Sequence, residues 1–375
     1  MHRRLFVLMI SSVCFIVSCT PASTEQAVSI ETAIPPATEI SSPTIQPPTI
    51  EPATPTGTSQ PTLIVDWLSQ LEVIQAGNWS RLQLLKTFPA EMSLDHSAVA
   101  ISPDGKTMAL GSSSGAQIYF FDLGSGDLIQ RVAFTGVSNA TAYFNEIEYL
   151  SDGTLMANSD GPYAIYHMDV DGNVLSIWDG INFALSADKR TMAHDTIEGT
   201  TLVDIASNTN LDSFDGNIAL DFSFSPDGSK IAVNLAGVDY VTMEIWDIPS
   251  KTKLVTLNEI GNPSYSPNGK FLAATSYAED TTPLKIFSPD GATQFTTLNV
   301  DTPNGLNGKP PLFSLDGSVI AAQIANGSPV AWDTTSWKIL EMPPLEGELY
   351  AFSPDGHILI TRTSDGSILL WGVLP

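Results

Sequence analysis

Beyond residue 19 this 375-residue sequence contains no cysteine. Its two cysteines, Cys14 and Cys19, fall in the first twenty residues. The rest of the chain can therefore form no intramolecular disulfide and no thiolate metal site. Basic residues are also scarce, with 16 Lys and Arg against 41 Asp and Glu and a formal net charge of −25. Binding nucleic acid needs a basic face that displaces counterions, so no nucleic-acid partner is expected, and the acidity reads as a solubilising surface. His96, His167, His194 and His357 lie in separate segments without His-x-x-x-His spacing, so neither a metal site nor a cofactor is expected. Past Leu5–Val17 there is no long apolar run.

What is present begins with that run. Met1–Arg4 carries two arginines, Leu5–Val17 is almost wholly apolar, and Ser18 is small, which is the layout of a secretory signal over residues 1–18. Ile16-Val17-Ser18-Cys19 resembles the bacterial lipobox. That resemblance implies that Cys19 is lipidated and becomes the first residue of a mature protein held at the outer side of a cytoplasmic or outer membrane. Residues 20–62 are mostly Thr, Pro, Ser and Ala, with no Lys, Arg or aromatic, so a disordered stalk with polyproline II stretches is expected. Residues 63–79 read as a short helical lead-in, because Ile64, Trp67, Leu68, Leu71 and Ile74 are spaced as on one helix face.

From Ser80 onward the chain repeats. In Leu220–Asp247, Phe222 and Phe224 alternate with serines as in a strand that ends at the turn Ser225-Pro226-Asp227-Gly228. Two further apolar runs follow, Lys230–Leu235 and one ending at Trp246-Asp247. The turn serine recurs at Ser102, Ser151, Ser186, Ser225, Ser266, Ser314 and Ser353, with gaps of 49, 35, 39, 41, 48 and 39 residues. A period of about 40–45 residues built from four short strands marks propeller blades. The seventh copy ends at Pro375 without a fourth strand, and the apolar alternation of Ser80–Phe88 belongs to no copy of its own. The expected fold is thus all-β: a seven-bladed propeller of four-stranded antiparallel blades over residues 80–375, closed by that N-terminal strand.

These turns and their spacing resemble those of WD-repeat propellers, particularly the bacterial kind with Phe-Ser-Pro-Asp-Gly turns. The Gly-His dipeptide of that family is missing from most blades, Asp95-His96 being the nearest match. Its His–Asp–Ser–Trp hydrogen-bond tetrad is therefore not expected, and periplasmic and quinoprotein-like propellers with the same turn stay open as relatives.

No coherent catalytic set emerges. Gly111-Ser112-Ser113-Ser114-Gly115 has the letters of a nucleophile elbow but joins two strands rather than a strand and a helix. Asp169–Asn173 lacks the later acidic ligands of a calcium loop and reads as a turn. His194-Asp195 could act as a pair only with a third residue from across the ring. Trp246, Trp332 and Trp371 close strands at repeated positions and read as packing between blades. The longest connections gather on one face of a propeller, so the candidate binding face is Asn139, Tyr143, Asp239, Tyr240, Tyr277, Asp280, Asn304 and Lys309. The reading is a membrane-anchored, extracytoplasmic module that binds a protein or small ligand on this face. The alternative is a propeller enzyme, a hydrolase, lyase or quinoprotein, with its site in the central channel.

Overall fold

The computed structural model describes residues 67–89, 98–112, 117–133, 144–159, 163–196, 198–237, 240–278, 281–300, 302, 305–325 and 327–375. The signal segment, Cys19, the Pro/Thr-rich stretch, His96, Asn139, Tyr143, Asp239, Asp280 and Asn304 lie outside them. The described chain is all-β, and its only helical elements are two 3-10 turns, Leu68–Gln70 and Trp79–Arg81.

After strand β1 (Gln83–Phe88), blade 1 comprises β2 (Val99–Ile101), β3 (Thr107–Gly111), β4 (Gln117–Asp122) and β5 (Leu128–Ala133). Blade 2 is β6 (Phe144–Tyr149), β7 (Leu155–Ser159), β8 (Ala164–Met168) and β9 (Val174–Asp179), and blade 3 is β10 (Phe183–Leu185), β11 (Thr191–Thr196), β12 (Gly199–Asp204) and β13 (Thr209–Asp215). Blade 4 is β14 (Ala219–Phe224), β15 (Lys230–Leu235), β16 (Thr242–Asp247) and β17 (Thr252–Asn258), and blade 5 is β18 (Ile260–Tyr265), β19 (Leu272–Ser276), β20 (Leu284–Phe287) and β21 (Gln294–Leu298). Blade 6 contains β22 (Leu312–Phe313), β23 (Val319–Gln323) and β24 (Pro329–Asp333), and blade 7 contains β25 (Glu348–Phe352), β26 (Leu359–Arg362) and β27 (Ile368–Gly372). Every neighbouring pair is antiparallel, and β1 pairs with β27, so the N-terminal strand completes the last blade as expected.

Each blade is set by its first turn. In six blades the turn serine hydroxyl donates to the Asp or Asn two residues on, as in Ser225 Oγ to Asp227 Oδ1 at 2.6 Å and Ser266 Oγ to Asn268 Oδ1 at 2.9 Å. In those same blades the backbone closes the loop. In blade 1, Ser102 N–H donates to Thr107 O at 2.8 Å and Gly105 N–H to Ser102 O at 2.9 Å. Gly105 sits at φ +69°, where a side chain is strained. In blade 3 Lys189 takes that left-handed position at φ +58°, so the turn survives the loss of both Pro and Gly. Blade 2 is one residue tighter, with Leu150 N–H on Thr154 O and Thr154 Oγ1 donating to Asp152 at 2.7 Å.

The core is distributed rather than central. Seven apolar clusters each span one interface between adjacent blades, including the interface of blades 7 and 1 that closes the ring. Trp332 and Trp371 are buried in these interfaces, and Trp246 lies 4.8 Å from the Phe214 ring of blade 3. Trp371 Nε1 donates to Thr361 Oγ1 at 2.8 Å, and Thr361 Oγ1 donates to Glu346 O at 2.6 Å. Only the Trp end of a WD-type network is present, with a carbonyl where that family has a histidine.

Two expectations are corrected. The lead-in is a 3-10 turn followed by extended chain, with Glu72 bridged to Val373, rather than a helix. In blade 6 the fourth strand of the expected four-stranded blade is reduced to a single bridge between Ile339 and Trp332, because Pro343 and Pro344 supply no N–H to extend it. A turn serine that is buried should matter more than an exposed one. Ser353→Ala leaves the buried Ile358 N–H without its 2.9 Å acceptor and should lower unfolding free energy by about 1–3 kcal/mol. Ser288→Ala, in an exposed turn of the same chemistry, should cost less in the same urea titration, and equal losses would show that burial is not the deciding factor.

Candidate functional site

The first strand of each blade lines the channel, and positions along it can be counted back from the turn, which in the tighter blade 2 begins at Leu150, the residue before Ser151. Two residues before the turn stand Ala100, Glu148, Ala184, Ser223, Ser264, Leu312 and Ala351. Four residues before it, blades 2 to 5 carry Glu146, Asn182, Asp221 and Asn262, while blades 6, 7 and 1 carry Pro310, Leu349 and Ala98. The loop-side mouth of the channel therefore has a polar arc on one side only. β-Bulges in β6, β14 and β18 fall beside Glu146, Asp221 and Asn262, and bulges of this kind re-aim side chains.

Within the arc, Asn182 Nδ2 donates to Ala219 O of blade 4 at 3.0 Å. Asn262 sits at φ +52°, a conformation that Asn tolerates better than most residues. It accepts from Asn234 Nδ2 at 3.2 Å and donates to the Tyr277 hydroxyl at 2.6 Å and to Gly308 O. The two carboxylates are half-buried in the channel wall. Burial pushes Asp221 up to about 7, against the opposing effect of the Phe222 N–H that it accepts at 2.8 Å. Burial also holds Glu146 well above the usual carboxylate range. The negative charges of Glu148 and Asp221 add to this, and Lys189 partly offsets it. Glu148 itself is paired with Lys189. Tyr350 is pushed up to about 12 by burial, with Glu146 nearby, and its hydroxyl accepts the Val99 N–H at 3.0 Å across the closure of the ring.

Of the expected face residues, Tyr277 and Lys309 are brought together. Tyr277 Oη lies 3.4 Å from Gly308 O, the residue before Lys309, and Lys309 Nζ is 2.6 Å from Glu348 Oε2. Burial raises the Tyr277 pKa, and the negative charge of Asp221 adds to the rise, so this cluster joins the polar arc. The connection carrying Lys309 is packed down rather than free. Leu306 is buried, bridges to Ile324, and exchanges two hydrogen bonds with Thr282 Oγ1. Tyr240 is exposed at its own loop, with no hydrogen bond to this cluster among the described residues.

The other motifs resolve as structure. His194 Nδ1 faces the carbonyls of Asp179 and Asp195, while the Asp195 carboxylate accepts the N–H groups of Ile181 and Asn182, both at 2.7 Å. The Asp169 carboxylate is occupied by Asp171 N–H, Asn173 N–H and Asn173 Nδ2 within its own turn. Among the described residues no group of three or more His, Cys, Asp or Glu is placed to hold a metal ion.

The sequence reading missed Glu146, Asp221, Asn262 and Glu348. The signal for the first three was a polar residue at one level of consecutive copies, four places before the turn serine in blades 3 to 5 and five before Ser151 in blade 2. It also missed a set of staples one strand out. Asn158 Nδ2 donates to Ile181 O at 2.6 Å, Asn234 Nδ2 reaches Asn262, and Gln323 Oε1 accepts Leu349 N–H at 3.0 Å, each tying a second strand to the next blade.

No known protein-family model matches the chain, and no curated protein is similar to it. The fold defines the class: this is a seven-bladed β-propeller.

The shifted carboxylates set the pH response. A depressed group such as Asp227, held at about 2 mainly by the Ser225 hydroxyl, contributes stability that is present above its ordinary value of 3.8 and lost as pH falls through about 2. Asp221 works in reverse. The fold favours its neutral form, so stability declines as pH rises from about 4 through about 7. The urea midpoint should peak near pH 4 to 5, and Asp221→Asn should flatten the decline between pH 5 and 8. An unchanged slope in that variant would contradict the assignment.

Proposed function

We propose that this propeller is a lipid-anchored, extracytoplasmic binding module whose ligand sits at the loop-side mouth of the channel, against the polar arc of blades 2 to 5. The arc is the observation that carries the reading: it joins two half-buried carboxylates of raised pKa to a loop cluster at Tyr277 and Lys309. Carboxylates in a partly desolvated wall favour a ligand that brings positive charge, either a small amine or a basic side chain of a protein partner. Titration calorimetry of the full chain with putrescine should show binding at pH 8 that weakens about tenfold or more at pH 5 and is lost in Asp221→Asn. Equal heats from the neutral polyol xylitol would remove charge as the basis of recognition.

The membrane anchor rests on Ile16-Val17-Ser18-Cys19 and on the Pro/Thr-rich stretch that follows. Expressed in a bacterial host, the chain should partition into the detergent phase of a Triton X-114 separation, and Cys19→Ser should move it to the aqueous phase. Partition that ignores the substitution would overturn the lipid anchor.

The propeller-enzyme reading draws on one observation. Glu146 and Asp221 have the shifted acidities that proton transfer near neutral pH requires. Native mass spectrometry of the chain purified from its host separates the two. A stoichiometric metal or cofactor favours an enzyme, and a chain carrying only an exchangeable amine favours the module.

A further inference from the structure

The face opposite the polar arc carries the first turns of the blades, and the gaps between neighbouring blades there are built alike. Each gap has three floor positions: the residue five after one turn serine, the third-strand residue two before that residue's cross-strand partner, and the residue just before the next turn. Between blades 6 and 7 these are Val319, Ala331 and Phe352. The chain's own lead-in covers that gap. Ile74 and Trp79, both fully buried, pack into the apolar cluster that contains all three floor residues. The lead-in backbone is hydrogen-bonded to both flanking turns, with Ala76 N–H on Ser318 Oγ at 2.9 Å and Ile74 N–H on Gly356 O at 2.9 Å. The molecule thus displays what such a gap accepts: a short segment that is extended at Ile74, turns through residues 76–78 and seats Trp79 in a 3-10 turn, with both side chains as large apolar anchors.

Between blades 1 and 2 the same floor positions are Thr107, Phe120 and Tyr149, and they line an open groove of about 430 Å³. Its walls present Ile129 and Val170, which are 57% and 40% exposed, an apolar pair facing water from opposite blades. Its rim carries Asp104 and Asp152, and no Lys or Arg lines it. The groove between blades 3 and 4 has the same floor and a similar volume, but Lys251 stands in its wall, 3.1 Å from Asp212.

We propose that the groove between blades 1 and 2 is a second docking site, and that it takes a basic segment of a partner protein that carries a large apolar anchor. An aliphatic or aromatic side chain of the segment would sit over Phe120 and Tyr149, and a neighbouring Arg or Lys would pair with Asp104 and Asp152. The lead-in between blades 6 and 7 supplies the precedent for the anchor, and the rim aspartates select the charge. Both aspartates stay ionised at neutral pH, because hydroxyl and backbone donors within their own turns hold their carboxyls below the usual range. This site is separate from the polar arc, so either can fail without the other.

The probe is a fluorescein-labelled peptide of residues 72–80 carrying Glu72→Arg and Gln75→Arg, which keeps the Ile74 and Trp79 anchors. Anisotropy with the full chain should show saturable binding. Replacing both arginines by glutamate, or Ile74 and Trp79 by serine, should weaken it about tenfold or more. Ile129→Lys and Val170→Lys alter exposed side chains and should each produce a similar loss with unchanged melting temperature. Leu211→Lys, in the groove between blades 3 and 4, should leave binding unaltered. Asp152→Asn provides a second reading of the rim should either lysine variant fail to fold. The proposal is overturned by absence of saturation at about 1 mM peptide, by indifference to the arginine-to-glutamate exchange, or by loss of binding in Leu211→Lys alone.

Discussion

One hydroxyl and one carboxylate, repeated around the ring, set the frame for everything else. At each standard first turn the serine Oγ accepts the N–H five residues on and donates to the Asp or Asn two residues on, whose oxygen in turn accepts the N–H four residues after the serine. Blade 1 shows this at Ser102, Asp104, Lys106 and Thr107, and blade 6 at Ser314, Asp316, Ser318 and Val319. Two donors that a tight reversal would otherwise leave bare are satisfied by side chains within the turn. The register of the first two strands follows from it, and so do the positions counted from it: the channel layers two and four residues before, the groove floor beside it, and the staples nine residues after, or eight after Leu150 in the tighter blade 2.

Closure depends on a different interaction. Adjacent blades share no backbone ladder, so the ring is held by seven apolar interfaces together with side-chain staples that cross them, such as Asn158 to Ile181 O and Tyr350 to Val99 N–H. The apolar contacts supply attraction without direction, and a buried amide that must find its partner supplies direction. Pairing of β1 with β27 links the two termini, so opening the last blade requires breaking contacts distant in sequence. The outer strands still carry exposed Leu128, Leu175, Leu211, Leu254 and Phe295. With a net charge of −25, repulsion between chains counters the edge-to-edge pairing that such strands invite.

The fold was legible because its determinants are local. A four-letter turn and a two-residue alternation can be counted on the page, and the missing fourth strand of the last copy pointed to its replacement at the N-terminus. The lead-in was misread because packing mimicked a helix. Trp67, Leu68 and Leu71 meet the interface of blades 7 and 1, whereas Ile74 and Trp79 meet that of blades 6 and 7, so successive anchors of an extended chain fell by chance at helical intervals. The site was only partly legible. Loop length drew attention to Tyr277 and Lys309, but the arc beneath them depends on residues from four blades meeting around an axis, a distance relation that no single repeat contains.

The ring divides its labour by position. Blades 6, 7 and 1, where β1, β27 and the lead-in are tied down, place Pro310, Leu349 and Ala98 at the level where blades 2 to 5 place Glu146, Asn182, Asp221 and Asn262. Half-buried carboxylates of raised pKa oppose folding at neutral pH, and a surface that only had to stay soluble would keep such groups in open water. Their confinement to the side of the ring away from the termini separates the destabilising groups from the contacts that keep the ring shut. A ligand that brought positive charge to the arc would relieve Glu146 and Asp221 of their mutual repulsion without disturbing the closure, so that binding would stabilise the blades that are least favoured when empty.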